Sequence, residues 1–173
     1  MTPQILLIAG KSDSGKTTLL EKLIAELKRR GHRIGSVKHT HDGFDFDKKG
    51  KDSWRHKKAG TAATLVITDT RVAMVKDDTA PPIEKMTRYL GDMDLILAEG
   101  FKKQALPKIE IFRLDSPHNA PFCLDDPNLV GSVTDSNFKP GNPALPTFGL
   151  EEIQQLADFI EEKFIPHERQ VNK

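Results

Sequence analysis

The sequence predicts an α/β fold of three layers, in which helices cover both faces of a mainly parallel sheet and an antiparallel hairpin is added. Short continuous apolar runs at residues 5–9 and 94–98 are typical of central parallel strands, because such strands are buried on both faces. Apolar residues at helical spacing follow the first run, and strand and helix patterns then alternate along the chain. The 173 residues, 1–173, are expected to form a single domain.

In the first half of the chain, the strand at 5–9 leads through a glycine-rich turn into an amphipathic helix. Leu19, Leu23 and Leu27 share the buried face of this helix, and Gly31 follows its basic last turn as a C-cap. The other elements predicted here are a strand at 33–37, a mobile polar loop at 39–51, a short helix at 51–59, a hairpin of strands 63–68 and 71–75 around Asp69, and a helix at 81–89.

The second half of the chain continues the buried-strand pattern. Residues 113–128 hold three prolines and few apolar positions, which indicates an irregular loop. The last helix carries Leu156, Ile160 and Phe164 on one face, and we expect the tail at 166–173 to be frayed. The strands predicted in this half lie at 94–98, 108–112 and 129–133.

Composition and charge narrow the class of protein. The chain is 37% apolar and 29% charged with a net charge of +1, which is typical of a soluble globular protein and gives no overall attraction to nucleic acid or membrane. Cys123 is the single cysteine, so no intramolecular disulfide forms, as suits a reducing compartment. The N-terminal apolar stretch is too short for a signal peptide. We therefore expect a cytoplasmic protein without nucleic-acid or membrane partners.

Residues 10–17 match the phosphate-binding pattern G-x-x-x-x-G-K-[ST] in full. The two glycines let the loop turn tightly, so that its backbone N–H groups and the following helix N-terminus face the phosphates. Lys16 is expected to reach the β- and γ-phosphates, and the Thr17 hydroxyl to coordinate Mg²⁺. The fold is thus predicted to be that of a P-loop NTPase. The residues predicted to contact the nucleotide in this segment are Gly10, Lys11, Ser12, Asp13, Ser14, Gly15, Lys16, Thr17 and Thr18.

A second acidic group is needed for the metal ion, and Glu99 is the candidate. It follows four apolar residues and is therefore placed at the carboxyl end of a buried strand, the edge at which open α/β sheets bind ligands. We expect Glu99 to hold Mg²⁺ directly or through water. Asp94 begins the same strand, at the far edge, and is expected to have a structural role.

The loop after the second strand is expected to sense the nucleotide. It leaves the same edge of the sheet and is rich in polar groups. Asp47 and Asp52 are candidates for catalytic positioning of water, and Asp47 also for Mg²⁺. Lys38 and His39 are candidates for contact with phosphate or a partner. The pair His39 and His41 alone makes a poor transition-metal site, since no cysteine lies nearby.

Base recognition is the least defined part of the predicted site. A carboxylate reads guanine through N1–H and the exocyclic amine, two donors that adenine does not offer together. The chain has no Asn-Lys-x-Asp stretch, but Asp135 follows a buried strand within Val133-Thr134-Asp135-Ser136. Asp135 is therefore either the base-reading carboxylate or a turn residue.

Several motifs together resemble the MobB family of molybdopterin-guanine dinucleotide biosynthesis adapter proteins. They are the segments 10–18, 37–41, 47–53, 58–61 and 95–102, and the resemblance extends over residues 4–165. It implies a homodimer of P-loop subunits that binds GTP with Mg²⁺, has weak GTPase activity and assists the molybdenum cofactor guanylyltransferase. Lys11 stands where ParA- and MinD-like relatives direct a lysine to a partner's phosphate. Because Ser12 and Asp13 replace the glycines of that variant, a solvated Lys11 is favoured.

Two other functions remain open from the sequence. Glu99-Gly100 resembles the strand end of dethiobiotin synthetase-type enzymes, which would make the chain a P-loop kinase of a small molecule. A metal-delivery GTPase is the second alternative, although Cys123 stands alone and such proteins usually carry clustered cysteines or histidines. Neither the P-loop nor the segment 38–53 contains an arginine, so slow intrinsic hydrolysis is expected.

Overall fold

The computed structural model describes residues 2–40, 43, 47–101 and 103–166. The chain forms two compact units, one of residues 1–39 and 86–173 and the other of residues 40–85. Outside the described residues lie positions 167–173 of the tail predicted at 166–173, together with residues 41, 42 and 44–46 of the loop predicted at 39–51. In chain order the elements are β1 (Gln4–Ala9), α1 (Lys16–Arg29), β2 (Ile34–Lys38), α2 (Asp52–Lys58), β3 (Ala63–Ile67), β4 (Val72–Lys76), α3 (Pro82–Leu90), β5 (Leu95–Glu99), β6 (Lys108–Phe112), β7 (Leu129–Thr134), β8 (Thr147–Phe148) and α4 (Ile153–Phe164).

The first unit is built on a six-stranded sheet in the order β2-β5-β1-β6-β7-β8. Every neighbouring pair is parallel. β1 is central, with Ile8 opposite Glu99 of β5 and Ala9 opposite Glu110 of β6. Because parallel strands end at a common edge, the loops that follow β1, β5, β6 and β7 all leave from that edge. The predicted α/β fold with a mainly parallel sheet is confirmed.

Helices α1 and α4 cover one face of this sheet. Leu23 and Leu27 of α1 are fully buried, as predicted from their spacing, and they share a core with Leu156 and Ile160 of α4. From the sheet the same core receives alternate residues of the central strands, since successive side chains of a strand point to opposite faces. These sheet residues are Leu6, Ile8, Leu95, Leu97, Ile109, Ile111 and Val133.

The opposite face is covered in two different ways. Near β1 and β5, Met86 of α3 and Phe101 pack on Ile5 and Ile96. The crossover from β6 to β7 has no helix, and we call its residues 113–128 the strap. The strap lies against Lys108 and Glu110, which occupy this face of β6 and are each 2% exposed. The predicted irregular loop at 113–128 is therefore confirmed, and it forms part of a covering layer.

The second unit contains α2 and an antiparallel pair of strands, β3 and β4. The hairpin closes through Thr68, whose backbone N–H donates to the carbonyl of Arg71 at 2.9 Å. The predicted hairpin is thus confirmed. Its apolar side chains are exposed to an unusual extent, and the large ones are Leu65, Val66, Ile67, Val72 and Met74.

Two details of the first unit add to the sequence analysis. The short edge strand β8 was not predicted, because its two residues carry no periodicity and are defined only by pairing with Ser132 and Val133. Asp94 has the structural contact expected of it, since its Oδ2 accepts the N–H of Arg33 at 2.7 Å. In the described part of the chain, no helix has the length and apolar character needed to cross a membrane.

Candidate nucleotide-binding site

The P-loop, residues 10–17, connects the end of β1 to the start of α1. Gly10 and Gly15 have φ angles of 152° and 91°, and Asp13 also has a positive φ, at 57°. A Cβ on Gly10 would stand 2.4 Å from Ser14 Oγ and 2.8 Å from the carbonyl oxygen of Ile111. Both the backbone conformation and the available space therefore require glycine at position 10.

The N-terminus of α1 opens at this loop without a side-chain cap. Its N-cap residue is Gly15, and its first turn contains no acidic residue. Thr17 and Thr18 lie exposed in that first turn. A helix N-terminus with no side-chain cap and no local carboxylate is suited to bind an anion.

Two polar side chains of the P-loop turn inward. Lys16 Nζ donates to the carbonyl oxygen of Lys11 at 2.5 Å, so the ammonium group lies over the loop. Ser14 is 1% exposed, and its Oγ has no hydrogen-bond partner among the described residues. A buried hydroxyl without a partner is uncommon in proteins. This observation fits a loop whose polar groups are arranged for a bound anion.

Glu99 lies at the carboxyl end of β5, as predicted, between β1 and β2. Its side chain is 13% exposed, and Lys38 Nζ lies 3.7 Å from its Oε1. The following residue, Gly100, has a φ of 97°, and a Cβ there would come within 3.0 Å of the carbonyl oxygen of His39. The carboxylate is thus held at the sheet edge that carries the P-loop, with hard oxygen atoms of the kind that Mg²⁺ prefers.

The strap is tied directly to the P-loop. Lys11 Nζ donates to the carbonyl oxygen of Ala120 at 2.9 Å, and His118 Nε2 lies 2.9 Å from the carbonyl oxygen of Ser12. Lys11 therefore has a partner within its own chain. Its predicted contact with the nucleotide stays a prediction.

Buried charges beneath the strap hold it in place. Glu110 accepts the backbone N–H groups of Phe122 at 2.7 Å and Cys123 at 2.9 Å. Burial raises the pKa of Glu110, although these two N–H groups and Lys11 act in the opposite direction. Lys108 Nζ donates to Asp126 Oδ2 at 2.6 Å, and this bond lowers the pKa of Asp126. The charged residues at 108 and 110 of an otherwise apolar strand were the sequence signal of this arrangement.

Arg113 is the residue of this region that sequence reasoning missed. A Cβ on Gly15 would stand 3.0 Å from Arg113 Cδ, so the arginine stem lies against the end of the P-loop. The guanidinium pairs with Asp115. Arg113 Nε is buried and has no hydrogen-bond partner among the described residues. Nothing in the sequence pattern signals this contact, because the two residues are far apart in the chain and Arg113 begins a loop.

Asp135 lies at the end of β7, on the same edge of the sheet. Its Oδ1 accepts the N–H of Leu114 at 2.8 Å and so ties the ends of β6 and β7 together. The residue is exposed, and its second oxygen remains available to a ligand. This bond joins the ends of two strands and not the residues of one turn, and the base-reading role stays a prediction.

Asp47 and Asp52 belong to the second unit. Asp47 Oδ1 accepts the N–H of its neighbour Lys48 at 2.8 Å, and Asp52 stands in the first turn of α2, 3.6 Å from Arg55 Nη1. Their catalytic and metal-binding roles stay predictions. The described residues contain no group of three or more histidine, cysteine, aspartate and glutamate side chains arranged to hold a metal ion.

Comparison with known proteins agrees with this geometry. Residues 5–135 match the family model described as MobB, molybdopterin guanine dinucleotide synthesis protein B. A molybdopterin-guanine dinucleotide biosynthesis adapter protein of Escherichia coli is 37% identical over 164 residues, which cover 91% of each chain. The protein of the same description from Haemophilus influenzae is 38% identical over 162 residues, covering 91% of this chain and 87% of the relative.

Solved structures show the same fold. The crystal structure of Bacillus subtilis MobB has a TM-score of 0.71 at 21% identity and covers 95% of this chain and 99% of its own. The MobB homologue from Bacillus stearothermophilus has a TM-score of 0.64 at 24% identity, with 92% and 99% covered. The family model covers most of the chain, and the curated relatives exceed 30% identity over nearly its whole length. The chain therefore belongs to the MobB family.

Proposed function

We propose that this chain is an adapter of molybdopterin-guanine dinucleotide biosynthesis that binds GTP with Mg²⁺ at its P-loop and hydrolyses it slowly. The adapter role is supported by the descriptions of the relatives from Escherichia coli and Haemophilus influenzae. Nucleotide binding is supported by the N-terminus of α1, which has no side-chain cap and follows the P-loop directly. The conformation of that loop requires glycine at residue 10. This last observation carries the proposal, because it describes an anion site built from the backbone itself.

The roles of individual residues follow from their positions. On binding, Lys16 would exchange the carbonyl of Lys11 for the β- and γ-phosphates, and Ser14 would gain a partner for its Oγ. Thr17 and Glu99 would hold Mg²⁺, which supplies neutralisation of the charge on the β- and γ-phosphates. Asp47 and Asp52 are the proposed water-positioning carboxylates. Asp135 is the proposed reader of guanine, through the oxygen that Leu114 does not occupy.

The proposal includes a partner protein and a second copy of the chain. The partner is the guanylyltransferase of the same pathway, acting in the cytoplasm. A homodimer is supported by the exposed apolar hairpin, on which Ile67 is 65% and Val72 is 66% exposed. Sedimentation of the full chain at micromolar concentration tests the dimer, and a purely monomeric protein would contradict it.

Calorimetric titration with non-hydrolysable GTP and ATP analogues, with and without Mg²⁺, tests the nucleotide site. We expect Mg²⁺-dependent binding that favours GTP, and a loss of at least about tenfold in Lys16→Ala because a charge-assisted contact is removed. Lys22→Ala is the matched control, since Lys22 lies on the same helix and pairs only with the exposed Glu151 among the contacts that we describe. The control should bind as the unaltered chain does.

The result also separates the proposal from its alternatives. A preference for ATP, together with phosphoryl transfer to a small acceptor, would contradict the GTP-dependent adapter and favour the kinase. Retained affinity in Lys16→Ala would show that the P-loop is not the nucleotide site.

A further inference from the structure

The P-loop follows the central strand β1, so the candidate site extends to both sides of that strand. Strands β5 and β6 flank β1 on opposite sides. Glu99 and Lys38 lie on the β5 side, where the metal and the terminal phosphate are expected. The remainder of a nucleotide must then leave the P-loop on the other side, over the ends of β6 and β7.

Arg113 is the first residue after β6 and is a cation that lies beside this exit. Its stem fills the space beside Gly15, with Cδ at 3.0 Å and Nη1 at 3.7 Å from the position that a Cβ would occupy. Its backbone neighbour Leu114 is fixed by the carboxylate of Asp135. The arginine is thus held between the N-terminus of α1 and the proposed base-reading residue.

Polar atoms without partners are concentrated at the same place. Across the described residues, four buried side-chain polar atoms lack a hydrogen-bond partner. Three of them are Ser14 Oγ in the P-loop and Arg113 Nε and Ser116 Oγ at the start of the strap, while the fourth, Thr64 Oγ1, is in the second unit. Proteins leave few buried polar groups unpaired, so this concentration indicates groups prepared for a polar ligand.

We propose that Arg113 binds the α-phosphate of the nucleotide, and that its guanidinium exchanges Asp115 for that phosphate when the nucleotide enters. This inference rests on the proposed nucleotide-binding function. Asp115 is a weak competitor for the guanidinium, since its side chain is 66% exposed and an exposed ion pair contributes little. A phosphate over the uncapped helix offers the planar guanidinium two acceptor oxygens at once.

A contact with the α-phosphate differs in its consequences from a purely structural role. If Arg113 only fastened the strap through Asp115, removal of either residue would have the same effect on binding. If Arg113 contacted the terminal phosphate, removal of its side chain would weaken the binding of GTP and leave the binding of GDP unchanged. Loss of a contact with the α-phosphate weakens the binding of GMP, GDP and GTP by the same factor, because all three nucleotides carry that group. Loss of a contact with the β-phosphate would leave the binding of GMP unchanged.

The experiment measures affinities of the full chain for GMP, GDP and a non-hydrolysable GTP analogue in the presence of Mg²⁺. Arg113→Met keeps an unbranched stem beside Gly15 and removes every N–H donor of the side chain. We expect it to weaken the binding of all three nucleotides equally, by about tenfold to hundredfold, as is typical for a lost charge-assisted contact. Arg113→Lys retains the charge and should lose less affinity. Asp115→Asn frees the guanidinium and should bind the nucleotides at least as tightly as the unaltered chain does.

Three outcomes would overturn the inference: affinity in Arg113→Met equal to that of the unaltered chain, a loss for GDP or the GTP analogue without a loss for GMP, or an equal loss in Asp115→Asn. Unfolding midpoints of all variants are measured in parallel. If Arg113→Met does not fold, the inference is decided by whether Arg113→Lys loses affinity for the nucleotides by the same factor. Failure of the proposed function is a different result, since the unaltered chain would then bind none of these nucleotides.

Discussion

The two faces of the six-stranded sheet are covered by different means. On one face, α1 and α4 contribute leucine and isoleucine side chains to a core in which Leu23, Leu27 and Ile160 are fully buried. On the other face, the strap covers β6, and the strand presents Lys108 and Glu110 to it.

The difference follows from the backbone of the covering element. A helix satisfies its own backbone hydrogen bonds and can therefore meet an apolar strand face with apolar side chains. An irregular segment carries N–H and C=O groups that need partners when they are buried. Glu110 supplies acceptors for two strap N–H groups, and Lys108 supplies a donor to the strap carboxylate Asp126. Buried charge on a strand thus identifies the side on which a loop replaces a helix.

The largest expected effect is on the helix face. Leu23→Ala removes a fully buried side chain between α1 and the sheet, and we expect the free energy of unfolding to fall by about 2–5 kcal/mol. Leu114→Ala is the matched control, because Leu114 is 63% exposed in the strap, and it should change the free energy by less than about 0.5 kcal/mol. Urea denaturation of both variants measures the difference. An equal fall in the free energy of unfolding for the two variants would mean that the packing of α1 on the sheet contributes no more to stability than an exposed strap residue does.

An intermediate effect is expected on the strap face. Glu110→Gln replaces one of the two acceptor oxygens with an NH₂ donor that faces a strap N–H group, at a cost of about 1–3 kcal/mol. Hydrogen exchange should show faster exchange at Phe122 and Cys123 with little change within α1. Glu21→Gln, an exposed change on α1, is the control. If exchange accelerates equally throughout the protein, the strap is not a separate unit of stability.

The smallest effect is a contrast in pH dependence. Hydrogen bonds from Arg29 and Arg30 lower the pKa of Glu26 to about 2. Burial alone would raise the pKa of Glu161, but hydrogen bonds from Arg30 and His32 outweigh it and lower that pKa. Both carboxylates therefore stabilise the fold above their unfolded pKa of 4.5, and this contribution is lost as the pH falls through the folded values.

The pKa of Glu110 is shifted in the opposite direction, so its effect on the pH dependence of stability is reversed. Its folded pKa lies above 4.5, so its contribution to stability is most favourable below pH 4.5 and declines as the pH rises through the folded value. Denaturation between pH 2 and 7 distinguishes the two faces. Glu161→Gln should reduce the fall in the free energy of unfolding below about pH 4.5. Glu110→Gln should remove the fall in the free energy of unfolding that Glu110 causes as the pH rises above about 4.5. Identical profiles for the two variants would contradict the contrast.

The same contrast explains what the sequence alone could predict. Continuous apolar strands and the 3.6-residue period of α1 are local patterns, so the sheet, the helix face and the position of Glu99 at a strand end followed directly from them. The contacts of the strap are made largely by backbone groups, which every sequence contains and no pattern distinguishes. Arg113 was missed because its importance comes from the topology, which places β6 beside β1.

Lys11 and Ser12 belong to the P-loop, and both are bonded to the strap through Ala120 and His118. Because these bonds connect the P-loop to the strap, a conformational change in one segment alters the conformational free energy of the other. If nucleotide binding tightens or loosens the strap, then a protein that grips the strap must change the nucleotide affinity by the same factor. If the proposed nucleotide binds, the strap would give an adapter a surface on which occupancy of the phosphate site is read without contact with the nucleotide itself.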